Sequence, residues 1–323
     1  MVFRKLASLL GHAEAAPKPS IRFAAFGKHP GWYDHMEELG LDTDRLIALR
    51  RMLYSEGVNR NIDSGSWQQL EPGQTIERFR HVFVWKTGPD LVIGRLWSST
   101  DGRGRSLYPM VLAAQCTGVP LKSALRLTMS RFEVLEAQLL ATTEADRVRQ
   151  LITAAKDELT QEVGAAAPAA PATADRPPLA VLADCEDLGP DAEGLYRVLY
   201  QIDTDMGDMR RKKVDSRSGT VQVSRAHHLR VPRCATNHVE ALLLWHDFLA
   251  ECFSAGIPSL TLLPLEHNWV DIILGEPTAA HIFCLKASPE KIPLASAIPY
   301  SIPDDFRQRL REQIEQARQV AAT

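Results

Sequence analysis

Apolar residues along the chain fall into two kinds of run. Ile21–Phe26, His81–Lys86, Leu91–Trp97 and Tyr108–Gln115 are short and rich in Val, Ile, Phe, Trp and Ala, and each predicts a β-strand. Thr87-Gly88-Pro89-Asp90 stands between the second and third with turn chemistry, so these two form a hairpin. Asp44–Val58 carries Leu46, Leu49 and Leu53 near helical spacing. From Pro120 onward Leu121, Leu125, Met129, Phe132, Leu135 and Leu139 recur every three or four residues, the period of a helix. Thr143 with Asp146 three residues on starts a second helix, to about Val163.

A second set follows. Leu179–Ala183, Thr220–Ser224, Ser259–Leu263, Trp269–Leu274 and His281–Lys286 are strand candidates. Asn237 with Glu240 three residues later has the form of a capping box. It opens a helix to about Ala255 whose wide apolar arc (Val239, Leu242, Leu243, Trp245, Phe248, Leu249, Phe253) predicts burial on two sides. Ser301 and Pro303 start a charged terminal helix to Val320. Strands followed by packed helices predict an α/β fold, an α+β sandwich of antiparallel sheet and helices.

Gly164 to Pro178 is Ala-rich with four prolines, offers little to bury, and reads as a linker. The expected division is a tail over 1–20, an α/β domain over 21–163, the linker over 164–178 and a second α/β domain over 179–323. Lys and Arg outnumber Asp and Glu by 21 to 19 in residues 1–163, and are outnumbered 16 to 21 in 164–323.

Composition narrows the function classes. The 323 residues are 45% hydrophobic and 24% charged, with net charge −3, as in soluble globular protein. That balance argues against a nucleic-acid binder, whose affinity rests on clustered cations. No stretch approaches the roughly 20 apolar residues of a spanning helix. The apolar run Leu6–Leu10 is shorter than a secretion-signal core, so a cytoplasmic location is expected. Five cysteines at 116, 185, 234, 252 and 284, an odd number without a C-x-x-C pair, fit reduced thiols.

Enzyme signatures are missing: the phosphate loop, the nucleophile elbow and the H-E-x-x-H zinc helix do not occur. Asp203–Asp208 begins like a calcium loop but lacks its turn glycine and closing Glu, so a solvated acidic turn is expected. Cys234 and His238 are four apart, but no second pair completes a zinc ligand set. Neither metal, cofactor nor catalytic residue is predicted. Arg210–Lys213 is a run of four cations that reads as a solvated loop.

Two loops are more informative. The first follows the opening strand: Gly27, Lys28, His29, Pro30, Gly31, Trp32, Tyr33, Asp34. The second joins two strands: Ser99, Thr100, Asp101, Gly102, Arg103, Gly104, Arg105, then Pro109. Glycine admits backbone turns closed to other residues, and Asp101 can close a turn on its own amides. Arg105 can pair with Asp34 or Asp101. The plainest role for both loops is to pin sheet corners.

Their pattern, G-K-x-P with an acidic residue and then W-x-S-x-D-x-x-G-R-x-x-x-P, resembles the TagF family, also called ImpM, of type VI secretion-associated proteins. The matching residues are Gly27, Lys28, Pro30 and Asp34, then Ser99, Asp101, Gly104, Arg105 and Pro109. Phe83–Trp85 and Leu91–Trp97 are similar to that family's central hairpin. The likeness covers residues 21–115. It departs at Tyr33-Asp34-His35, where the family has Gly-Asp-Phe, and in a stretch from Gly104 to Pro109 one residue longer.

The resemblance implies a profilin- or longin-like first domain and a cytoplasmic accessory protein that restrains type VI secretion after translation, through an FHA-domain scaffold. It brings no catalytic residues. Trp32 and Tyr33 are the expected contact anchors, with Lys28 and Arg103 on the rim. Two other classes stand beside it. One is a nucleotide- or small-ligand-binding module or enzyme using Lys28, His29, Asp34, Asp101 and Arg105. The other is a structural component of the secretion machine.

Overall fold

In a computed structural model, residues 18–88, 90–165, 176–210, 221, 223–253 and 257–321 are described. Strand β1 (Ser20–Gly27) comes first. Helix α1 (Asp44–Leu49) runs without a break through a π-wound stretch, Arg50–Val58, into α2 (Asn59–Asp63). Strands β2 (Arg80–Thr87), β3 (Asp90–Ser98) and β4 (Pro109–Thr117) follow, then α3 (Leu121–Leu140) and α4 (Ala145–Ala165). The remainder comprises α5 (Pro178–Ala183), α6 (Glu193–Arg210), β5 (His227–Pro232), α7 (His238–Cys252), β6 (Ser259–Pro264), β7 (Trp269–Leu274) and α8 (Asp304–Ala321).

All seven strands join one antiparallel sheet in the order β1-β4-β3-β2-β6-β7-β5. This is a mixed α/β fold, a sheet packed with helices. Both faces are covered, so strands are apolar at successive positions rather than alternately. Phe23, Val82, Val84, Ile93 and Leu112 face α3 to α8. Phe26, Phe83, Val92, Leu260 and Leu262 face the α1–α2 helix and a 3₁₀ stretch, Ala279–Leu285. Phe23 meets Phe132 of α3 edge to face, with ring centroids 5.6 Å apart.

The sheet is continuous across the sequence stretch read as a linker. β2 pairs with β6 from Lys86↔Ser259 to His81↔Pro264, so strands from both sides of 164–178 share one ladder. The expected division therefore does not coincide with a break in the sheet.

Several expectations are corrected. Leu179–Ala183 lies in helix α5, because Pro177 and Pro178 suit a first helical turn and deny a strand its N–H donors. His281–Lys286 falls in and just after the 3₁₀ stretch, whose start is fixed by the Thr278 and His281 side chains. Asp203–Asp208 lies inside α6 rather than in a turn. Strand β5 was not foreseen, since His227, His228 and Arg230 make it read as polar. Residues 1–17 of the tail, residues 166–175 of the linker, the run Arg211–Lys213, and Thr220 and Gln222 of one strand candidate lie outside the described residues. No helix among the described residues is long and apolar enough to cross a membrane.

Candidate functional site

The two glycine loops lie side by side at one end of the sheet. Gly27 closes β1 at φ +120°, and a Cβ there would stand 2.2 Å from the Pro109 carbonyl oxygen, so only glycine fits. Lys28 N–H donates to that oxygen at 3.2 Å, and Met36 N–H donates to the Gly27 carbonyl at 2.9 Å. Pro109 thereby anchors the first loop to the start of β4. His29 is buried beneath it. Its Nδ1 accepts the Gly31 N–H at 3.1 Å, which leaves the proton on Nε2 to bond the Leu139 carbonyl at 3.0 Å. Burial lowers the His29 pKa, in keeping with this neutral role.

The second loop turns on Asp101. Its Oδ1 accepts the backbone N–H groups of Arg103 at 2.9 Å and Arg105 at 3.1 Å. Gly104 carries φ +77° within that turn. Gly102 N–H donates to the Trp32 carbonyl at 2.7 Å and ties the two loops together.

Between the loops four charged side chains close a ring. Lys28 Nζ stands 2.6 Å from both Asp34 Oδ1 and Asp101 Oδ2. Arg105 completes it, with Nε 2.7 Å from Asp101 Oδ2 and Nη2 2.9 Å from Asp34 Oδ1. Two cations thus neutralise two carboxylates. Lys28 and Asp101 are buried, while Asp34 is 61% exposed in its side chain. Burial alone would raise the Asp101 pKa, but hydrogen bonds from Lys28, from the Arg105 and Arg103 backbone and from the Arg105 side chain hold it well below the usual carboxylate range. The hydrogen bond from Lys28 likewise lowers the pKa of Asp34.

Aromatic rings line the ring's underside, a feature the sequence reading missed. His35 lies 5.1 Å from the Tyr108 ring and 5.8 Å from the Tyr54 ring, centroid to centroid. Lys28 Nζ lies 5.9 Å from the Tyr108 centroid, and the Tyr108 hydroxyl donates to Asn59. His35 and Tyr108 adjoin the motif residues Asp34 and Pro109 in sequence, but their meeting with Tyr54 and Asn59 depends on spatial proximity that no spacing signal reveals.

The contact residues expected from sequence separate. Tyr33 is 68% exposed, and the Arg103 guanidinium covers its ring at 3.5 Å. Trp32 is half-buried against the core, with the Arg149 guanidinium 5.4 Å from its ring. Lys28 is buried within the ion pairs rather than on a rim. Pro30 is half-buried, and Ser99 is buried just beyond β3. The other spacing candidate dissolves: His238 Nε2 lies 3.2 Å from the Leu265 carbonyl.

No family model and no curated protein matches the chain. Among solved structures it is similar to PA0076 from Pseudomonas aeruginosa PAO1, with TM-score 0.39 and 14% identity over 81% of this chain and 93% of that one.

Proposed function

We propose that the chain is an accessory protein of a bacterial type VI secretion system without chemistry of its own. On this reading it acts in the cytoplasm after translation, and restrains secretion by occupying an FHA-domain partner. The observation that carries the reading is the convergence of Lys28, Asp34, Asp101 and Arg105, the charged residues of the TagF-like motifs, into one mutually neutralised ring. A ring of this kind fixes loop shape and presents the exposed Tyr33–Arg103 pair on a rigid base, which suits protein contact. The use of both Lys28 and Asp101 in these ion pairs favours contact over a nucleotide- or ligand-binding site at the same loops.

The test is capture of a purified FHA-domain secretion protein by the full chain. Tyr33→Ala should weaken capture by about 2 kcal/mol or more if Tyr33 is an anchor, with cooperative melting unchanged because the ring is exposed. Unchanged capture moves the contact to another face. Capture of a baseplate or sheath protein instead, with no FHA-domain binding, favours a structural component of the machine.

A further inference from the structure

Away from the loops, two chain segments distant in sequence bring sulfur ligands together. Cys185 follows α5 and heads a 3₁₀ turn, Glu186–Leu188, with Leu188 N–H bonded to its carbonyl at 3.1 Å. Cys234 follows β5, in the turn where Arg233 N–H donates to the Asn268 carbonyl at 3.2 Å. It holds a left-handed backbone at φ +56°, rare for a side-chain-bearing residue. From there its thiol lies within 4.8 Å of the Cys185 thiol.

One ligand atom each from Cys185, Asp187 and Cys234 lies within 4.8 Å of the other two. A tetrahedral zinc ion with Zn–S bonds of about 2.3 Å spaces its ligands about 3.8 Å apart, so a contraction of at most about 1 Å seats one. Asp187 is exposed, and no Lys, Arg or His among the described residues bridges it. Two thiols and an unbridged carboxylate form a donor set that a cation would complete, since their anionic forms otherwise repel. Cys185 also lines a surface cleft against α8, which gives an entry path.

We propose that Cys185, Cys234 and Asp187 bind one zinc ion, with water from the cleft in the fourth position. Zn²⁺ displaces the two thiol protons to solvent, two Zn–S bonds form, and no oxidant or reductant is needed. The ion fastens the Glu186–Leu188 turn to the end of β5.

The experiment titrates Zn²⁺ and Co²⁺ into the full chain, stripped of metal and kept reduced with a phosphine. One zinc per chain is expected, together with thiolate-to-cobalt charge-transfer bands and a tetrahedral cobalt spectrum. Cys185→Ser and Cys234→Ser should each weaken zinc binding by more than about tenfold, and Asp187→Asn by less, while Cys252→Ser leaves it unchanged. Because a Ser variant can fail to fold, the wild-type chain is also alkylated with and without zinc. Zinc should protect Cys185 and Cys234 and leave the labelling of the other cysteines unaltered. Equal labelling of the pair in both states overturns the site. So does a chain that takes up no zinc when reduced and forms a Cys185–Cys234 disulfide when treated with peroxide, which would make the pair a redox couple.

Discussion

Lys28 Nζ and Asp101 Oδ2 meet at 2.6 Å with both side chains buried, across 73 residues of sequence. The contact joins the turn after β1 to the turn between β3 and β4, at the end of two strands separated in the sheet only by β4. Removing either partner leaves the other charge beneath the loops with Arg105 or Asp34 as its remaining partner.

Lys28→Met and Asp101→Asn should therefore each lower the melting temperature, and the double variant should lose less than the sum of the two. A thermal double-mutant cycle measures this. Strict additivity would mean that the two groups do not interact in solution.

The depressed carboxylates give the acid limb a definite sign. A carboxylate whose folded pKa lies below its unfolded value stabilises the fold above the unfolded value, near 3.9 for Asp, and that stabilisation fades as pH falls toward the folded value. Asp34 and Asp101 act in this window. A buried histidine, His81, and a half-buried one, His246, act higher. Burial pushes the His81 pKa down to about 3 and the His246 pKa down to about 4. Both are neutral in the fold, whereas the unfolded chain takes up protons below about 6.5, so stability is full above that pH and drains as pH falls. From pH 6.5 to 4.5, His81 alone should remove about 2–3 kcal/mol. Urea titrations at these two pH values check it, and His81→Leu should show a smaller difference between them than wild type.

The strand runs were legible because Phe, Val, Ile and Trp crowd β2 and β3, and the helix period was legible in α3 and α7. What escaped was decided by partners. β5 looks polar until Arg230 is set opposite Asp271, its register partner on β7. Inside the sheet the pair is bidentate, Nε to Oδ1 at 2.7 Å and Nη2 to Oδ2 at 2.9 Å, and both side chains are buried. His281–Lys286 has strand composition, yet capping at Thr278 starts a helical turn, and Leu285 and Cys284 reach the core from there. At the site, the two motifs gave the charged residues. The closed ring and the Tyr54–Tyr108–His35 cluster beneath it depend on which loops meet in space, which no spacing encodes.

Breaking the buried Arg230–Asp271 pair from one side should be costly. Arg230→Met leaves Asp271 with hydrogen bonds from His228 and Trp269, at 2.7 Å and 3.3 Å, but no guanidinium, and should cost about 3–5 kcal/mol in denaturant unfolding. Arg230→Met with Asp271→Leu should recover much of that loss, because neither charge then remains buried. A double variant no more stable than the Arg230 variant would mean that the Arg230 hydrogen bonds to the Ala287, Ile292 and Cys284 carbonyls carry the stability instead.

The continuity of the sheet makes a prediction about covalent integrity. β2 and β6 share a six-residue register, from Lys86↔Ser259 to His81↔Pro264, and Val82, Phe83, Leu260, Leu262 and Leu263 are buried on its two faces. A chain cut between these strands keeps the backbone ladder and the apolar burial, which together outweigh the freedom gained by separation as long as both pieces stay folded. A specific protease site inserted within residues 166–175 should therefore cleave to two fragments that still elute together by size exclusion, and that separate only in denaturant. Two independently eluting, folded fragments in native buffer would show that the β2–β6 ladder contributes little. The chain would then behave as two units divided at the Ala/Pro-rich stretch.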